Sequence, residues 1–147
     1  MLEKIKSSFL PFISFTFLFV MLTAAVAAAD DVVIIASKDL PVDSIEKDTL
    51  KRIYLGQQTT WDDGTKINFA VLNDRETEET FLKKYLNRSS TRYNRYWRTQ
   101  IFTGKGKLPQ SYKSDDEMIK FVNGNKGAIG FVSSKANTNA VKVLSVR

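Results

Sequence analysis

The chain has 147 residues, with 22 Lys and Arg against 16 Asp and Glu for a formal charge of +6, and contains neither cysteine nor histidine. Without Cys there is no disulfide or thiolate chemistry, and without His the commonest general base and metal ligand is missing. Hydrolase triads and most zinc sites are thereby excluded, so no catalytic residue, metal ligand or cofactor is expected, while the positive balance favours anionic partners without naming one.

The leading segment reads as a targeting signal. Lys4 and Lys6 stand against Glu3, residues 9–26 are apolar apart from Ser14, Thr16 and Thr23, and Ala27-Ala28-Ala29 follow. A basic region, an apolar region and an A-x-A pattern predict a cleaved signal peptide over 1–29 and export to the periplasm. The competing reading is an uncleaved anchor, because the apolar stretch approaches the ~20 residues that span a bilayer. The alanine run and the polar Asp30-Asp31 favour cleavage, which leaves no stable membrane anchor. Removing residues 1–29 of 147 leaves 118, suited to a single domain over 30–147, and losing Lys4, Lys6 and Glu3 takes the charge from +6 to +5.

Residues 32–36 form a continuous β-branched and apolar run that predicts a buried strand, ending at Ser37-Lys38-Asp39. Ile45, Leu50, Ile53 and Tyr54 then fall at helical spacing over 46–55. Ile45 and Leu50 are placed as a hydrophobic staple, and Gly56 can take the left-handed cap. Asp62-Asp63-Gly64 has the chemistry of a turn and not of an acid–base pair, and 67–72 reads as a second strand. Over 77–86 a helix is predicted with Phe81 and Tyr85 on one face. Glu76, Glu78 and Glu79 near its start suit the helix dipole but would repel an anion bound there.

A third helix is expected over 90–101, with Tyr93, Trp97 and Ile101 as an inward stripe. Arg88, Arg92, Arg95 and Arg98 fall on its other side, which suits either a nucleic-acid or membrane face or a solvated face paired with nearby glutamates. Export removes most nucleic-acid roles, so the solvated face is preferred and no nucleic-acid partner is expected. The loop 102–109 carries Lys105 and Lys107 among glycines, where freed amides can form an anion-holding concavity, but it lacks the spacing of a P-loop. Ser114-Asp115-Asp116-Glu117 reads as a capping box opening a helix with Met118, Phe121 and Val122 inward, the two aspartates serving its dipole. A buried strand over 128–132 contains Gly130, where something packs closely on the backbone. Residues 140–146, with the alternating positions Val141, Val143 and Ser145, read as a last strand, at an edge.

Several phrases together carry a family resemblance. Thr49-Leu50-Lys51-Arg52-Ile53-Tyr54-Leu55-Gly56 followed by Trp61-Asp62-Asp63-Gly64, the stretch from Trp97 through Phe102-Thr103-Gly104-Lys105-Gly106, and Lys126-Gly127-Ala128-Ile129-Gly130-Phe131-Val132 resemble the phosphate-binding proteins of ABC importers, of the type II periplasmic binding fold. The resemblance covers roughly residues 32–134. It implies an α/β domain like one lobe of that fold, a mixed sheet of about four or five strands flanked by about four helices. It also implies a non-catalytic periplasmic solute-binding-like protein linked to phosphate or oxyanion uptake, with the membrane component of an ABC importer as partner.

Two departures bear on the ligand. Only about one lobe's worth of chain exists, and no glycine- and serine-rich oxyanion loop follows the first strand. In the second binding segment the family's Arg…Gly-Ser-Gly-Thr is replaced by Asn73-Asp74-Arg75-Glu76-Thr77-Glu78-Glu79-Thr80-Phe81. The resemblance leaves Arg75 for charge, Thr77 and Ser37 as hydroxyl donors, and Lys105 from the glycine loop as anion-binding residues. Glutamates in place of glycines keep the backbone from a close approach and turn the local charge against an anion. The alternative reading is therefore an envelope interaction module that kept the fold, lost the ligand, and docks through the arginine helix or a sheet edge.

Overall fold

The computed structural model describes residues 31–147; the signal segment 1–29 and its cleavage point lie outside the described residues. Apolar runs whose backbone groups must find partners away from water pair here into one six-stranded sheet, in the order β2-β6-β1-β5-β3-β4. The elements in chain order are β1 (Val32–Ala36), β2 (Ser44–Ile45), α1 (Lys47–Tyr54), β3 (Asn68–Leu72), α2 (Arg75–Phe81), a π-helical turn (Leu82–Leu86), α3 (Ser90–Phe102), β4 (Gln110–Tyr112), α4 (Asp115–Gly124), β5 (Ala128–Ser133) and β6 (Lys142–Val146). The architecture is the expected α/β with a mixed sheet and four α-helices. It has six strands where four or five were expected. The two added strands, β2 and β4, hold two and three residues and form the sheet's margins.

Strand directions place the ends that matter for function. β1 is antiparallel to both neighbours, β5 and β6, whereas β3 is parallel to β5, β4 to β3, and β2 to β6. β1 alone therefore runs against the other five. The carboxyl ends of β3, β4 and β5 gather on one edge of the sheet, and the end of β1 lies on the opposite edge.

Alternation along β5 recruits a helix layer to each face, because successive strand residues point to opposite sides. A Cβ on Gly130 would stand 2.5 Å from Met118 Sδ of α4, with Val122 also in contact. The close approach expected at Gly130 is thus that of α4. Phe131 points the other way and stacks on Phe81 of α2, ring centroids 3.9 Å apart and planes within 4°. Tyr54 of α1 joins that cluster, 4.7 Å from Phe81 and 5.9 Å from Phe131. α3 is clamped to the end of α1 by Tyr93, whose hydroxyl donates to the Tyr54 carbonyl at 2.8 Å, and by Tyr96, which donates to the Leu55 carbonyl at 2.6 Å.

Local signals of the chain translate directly. Gly56 follows the C-cap of α1 with φ of 70°, and Ile45 and Leu50, the staple pair, are both buried. The 62–64 turn forms as expected, with Gly64 at φ 82° and Asp63 accepting from the Thr65 amide at 2.9 Å, a bond that also lowers the Asp63 pKa.

Four expectations are corrected. α2 begins at Arg75 and not Thr77, because the Asp74 side chain caps it. Ile101 is exposed, so only Tyr93 and Trp97 form the inward stripe of α3. β6 is interior, paired on both sides, and buries Leu144 while Val143 faces out. Asp115 does more than serve the dipole of α4: its carboxylate accepts from Ser133 N at 3.1 Å and Ser133 Oγ at 2.6 Å, tying the helix start to the end of β5.

The layered packing on β5 is directly testable. Gly130→Ala forces a methyl against fully buried Met118 and should cost about 1–3 kcal/mol. Phe81→Ala removes a stacked ring and should cost about 3–5 kcal/mol. Urea denaturation of both variants checks the order; a neutral Gly130→Ala would show that α4 is not seated on this strand.

Candidate functional site at the carboxyl edge of the sheet

In open α/β sheets ligands bind in the crevice outside the carboxyl ends of the strands. Here that edge carries Asn73 and Asp74 after β3, Lys113 and Ser114 after β4, Ser133 at the end of β5, and the starts of α2 and α4. Main-chain bonds hold it together, Asn73 N donating to the Tyr112 carbonyl at 2.7 Å.

Donors of the kind that would hold an oxyanion are present on this edge, and the chain's own carboxylates accept from them. Asp74 Oδ1 accepts from the Thr77 amide at 3.1 Å and from Thr77 Oγ1 at 2.7 Å. Asp115 accepts from the amide and hydroxyl of Ser133 in the same manner. Glu117 Oε2 accepts from the Lys113 amide at 2.9 Å, one residue earlier than the reciprocal bond of a capping box, while Ser114 Oγ accepts from the Glu117 amide. The Thr77 hydroxyl first, and then its amide, hold the Asp74 carboxyl below the usual carboxylate range.

The four anion-binding candidates do not converge. Thr77 is buried, and its hydroxyl is committed to Asp74. Arg75 lies two residues away, about 200° around the helix. It is exposed, lining a shallow surface hollow with Glu76, Glu79 and Lys83. Ser37 follows β1, so it lies on the opposite edge, where its amide donates to the Ala128 carbonyl at 3.0 Å and its hydroxyl donates to Asp39. The five residues of β3 alone span about 16 Å, so Ser37 and Thr77 cannot grip one small anion. Lys105 is exposed on the loop from α3 to β4 and lines neither hollow near α2. A joint site of Arg75, Thr77, Ser37 and Lys105 is therefore not assembled, because β1 runs against β3 and because Arg75 and Thr77 take opposite sides of α2.

Beside this edge the structure shows a hollow of about 280 Å³ between β3, α2, α3 and β4, lined in part by Asn73, Glu78, Asn94, Pro109 and Ser111. Residue order alone did not reveal it, since its walls come from segments up to 40 positions apart; the signal available was Glu78 directly after Thr77. Glu78 is half-buried. Burial, and then the neighbouring Glu79 charge, push its carboxyl above the usual range. Trp97 contributes to the same wall, and its buried indole N–H meets no acceptor among the described residues.

The chain belongs to the PBP superfamily domain family, whose match covers residues 22–145. No protein with a curated description matches it. Among solved structures it is similar to a protein of Clostridium perfringens assigned as a phosphate ABC transporter substrate-binding protein with phosphate bound, at 19% identity and a TM-score of 0.61, over 80% of this chain and 45% of that one. An ABC-type phosphate transport receptor of Vibrio cholerae matches at 23% identity and a TM-score of 0.54, over 80% and 46%. PstS of Borrelia burgdorferi matches at 18% and 0.56, over 80% and 47%. The class is thus periplasmic-binding-protein-like, with the fold of the phosphate-binding proteins of ABC importers, and the chain spans less than half the length of each of these neighbours. No described helix is long and apolar enough to cross a membrane.

Two measurements follow from the edge's carboxylates. Asp74→Ala should cost about 0.5–2 kcal/mol at neutral pH, the ordinary worth of an N-cap. Because the folded pKa is lowered, that contribution is present above the unfolded value near ~3.9 and is lost as pH falls through the lower folded value, so the two proteins should converge in acid. Glu78 has the opposite sign. Its raised pKa costs stability once pH exceeds the ordinary glutamate value, so Glu78→Gln should unfold at a higher temperature than the parent at pH 7, and the gap should close below about pH 4.

Proposed function

We propose that this chain is a non-catalytic periplasmic lobe of the phosphate-binding-protein type, linked to oxyanion import, that works as an interaction module on an envelope partner and not as a free phosphate carrier. The observation that carries this reading is the capture of both Thr77 donors by Asp74. An internal carboxylate takes the Thr77 donors that an oxyanion would need, and a second anion there would be repelled first by Asp74 and then by Glu76 and Glu78. Family membership supports the link to binding rather than catalysis, and the importer's membrane component is the partner it suggests.

The second reading, a true oxyanion binder, is supported by one feature of the site. The Arg75 side chain makes no ion pair or hydrogen bond within the described residues, so its guanidinium is free to meet an anion in the outer hollow it lines with Thr80 and Lys83, with Thr77, Ser37 and Lys105 outside that contact. Thermal unfolding with phosphate, sulfate and other oxyanions separates the two. A ligand at a hundredfold excess over its Kd stabilises by about 2.7 kcal/mol, a shift of several degrees. The parent is expected to show no shift at millimolar phosphate. A shift of that size that disappears in Arg75→Ala would establish the oxyanion binder instead.

A further inference from the structure

Charge is distributed along this chain with an asymmetry that the oxyanion reading does not use. Between residues 80 and 114 there is no Asp or Glu, while Lys83, Lys84, Arg88, Arg92, Arg95, Arg98, Lys105, Lys107 and Lys113 all fall there. With +5 over residues 30–147 and +9 inside this segment, the remainder carries −4. The expectation that the α3 arginines pair with nearby glutamates is not met. Glu79 instead accepts from the Ser90 amide at 3.1 Å and faces Lys83 at 3.7 Å, and the exposed side chains of Arg92, Arg95 and Arg98 make no ion pair or hydrogen bond among the described residues. Arg88 lies over the Tyr96 ring, 5.2 Å from its centroid.

Arg92, Arg95, Thr99 and Phe102 follow one another at steps of three, four and three, so they share the outward stripe of α3, with Arg98 beside it and Arg88, just before the helix, lining the same surface as Arg92, Arg95 and Thr99. The stripe ends in Phe102, which is 92% exposed. This ring stands in water at the end of a row of cations. The helix that presents Phe102 and the arginines is held from behind by buried Tyr93 and Trp97 and by the two tyrosine hydroxyls bonded to the end of α1.

We propose that the outward face of α3, ending in Phe102, forms a peripheral docking surface for an anionic phospholipid bilayer. Guanidinium groups suit phosphodiester oxygens bidentately, and an interfacial helix pairs such cations with aromatic and leucine side chains that enter below the headgroups. A nucleic acid would satisfy the arginines but offers Phe102 no apolar layer, whereas a bilayer supplies both a continuous sheet of phosphodiesters and the apolar layer beneath it. The net negative remainder of the chain is repelled by the same surface, which selects this face over any other. The contact is reversible and needs no spanning segment, and it does not depend on whether phosphate is bound at α2.

Co-sedimentation with vesicles tests it, using protein recovered from an expressing cell with its natural N-terminus. Binding to phosphatidylglycerol/phosphatidylcholine vesicles is compared with binding to pure phosphatidylcholine, so that any contribution of the 9–26 segment cancels. Anionic vesicles should capture the protein at low salt and release it near 1 M, where the screening length is about 3 Å. Replacing Arg92, Arg95 and Arg98 together by Gln should lower the partition coefficient at least about tenfold. Phe102→Ser should lower it severalfold while leaving its salt dependence in place. All four positions are exposed, so the variants should melt like the parent. Equal capture by neutral and anionic vesicles, or an unchanged triple variant, overturns the proposal. So does a single-stranded oligonucleotide that binds the parent and Phe102→Ser equally well and strips both from vesicles, which would make the face a general polyanion binder.

Discussion

Everything in this structure hangs on the pairing of β5. It joins β1 on one side in antiparallel register, Ile35 opposite Gly130, and β3 on the other in parallel register. Its missing side chain at Gly130 admits α4, and its ring at Phe131 receives α2. A methyl at the first position or a truncation at the second would unseat one whole layer, because a close-packed interior has no slack to absorb either change. Nearby, Gly127 holds φ of 71°, and a Cβ there would strike the backbone carbonyl of Lys66. The same turn offers its own carbonyl to the Trp61 indole at 3.0 Å, so the start of β5 is stitched to the loop before β3.

The direction of β1 then decides what the edge can do. Because β1 alone is reversed, Ser37 is sent to the end of the sheet where β3 and β5 begin, and Thr77 to the end where they finish. At that carboxyl edge the electrostatics are self-contained. Asp74 and Asp115 each accept from an amide and a hydroxyl, which satisfies the strand and helix ends without a ligand. An N-terminus so capped gives its stabilisation to the fold at all times, whereas one left open for an anion gives it only when the anion is present. Two of the nearby glutamates are held by main-chain donors, Glu79 by the Ser90 amide with Lys83 beside it and Glu117 by the Lys113 amide.

Acid and base are separated along this chain. The carboxyl edge gathers the acidic residues of α2 and α4, and the segment from 80 to 114 gathers nine cations with no acid among them. Separation of this kind costs the folded state some self-repulsion at α3 and is offset there by aromatic burial, with Tyr93 and Trp97 inside and Tyr96 bonded to α1. The exposed Phe102 at the end of the arginine stripe is unexplained by folding alone, since burying it would have gained the chain about 1.5–3 kcal/mol.

Local chemistry was legible wherever it closed within a few residues. The β1 run, the helix of Ile53 and Tyr54 with Gly56 after it, the Asp63-Gly64 turn, the Ser114 cap and the buried strand around Gly130 each follow from spacing and side-chain type in the sequence alone. So do the exclusion of His and Cys chemistry and the family resemblance, which rested on contiguous phrases. Strand neighbours, by contrast, are long-range choices. β2 and β4 are too short to show a period, and the inward parity of β6 was settled by its pairing with β1, which set Leu144 inside and Val143 out. The candidate site fell to the same cause. Four residues chosen for their chemistry were dispersed by strand direction and helix phase, quantities that no stretch of sequence encodes by itself, and Asp74 became the partner of Thr77 only once α2 had started at Arg75. The amino-acid order determined which groups exist and which elements form; the tertiary structure decided which of them meet, because that depends on how β1 lies against β5.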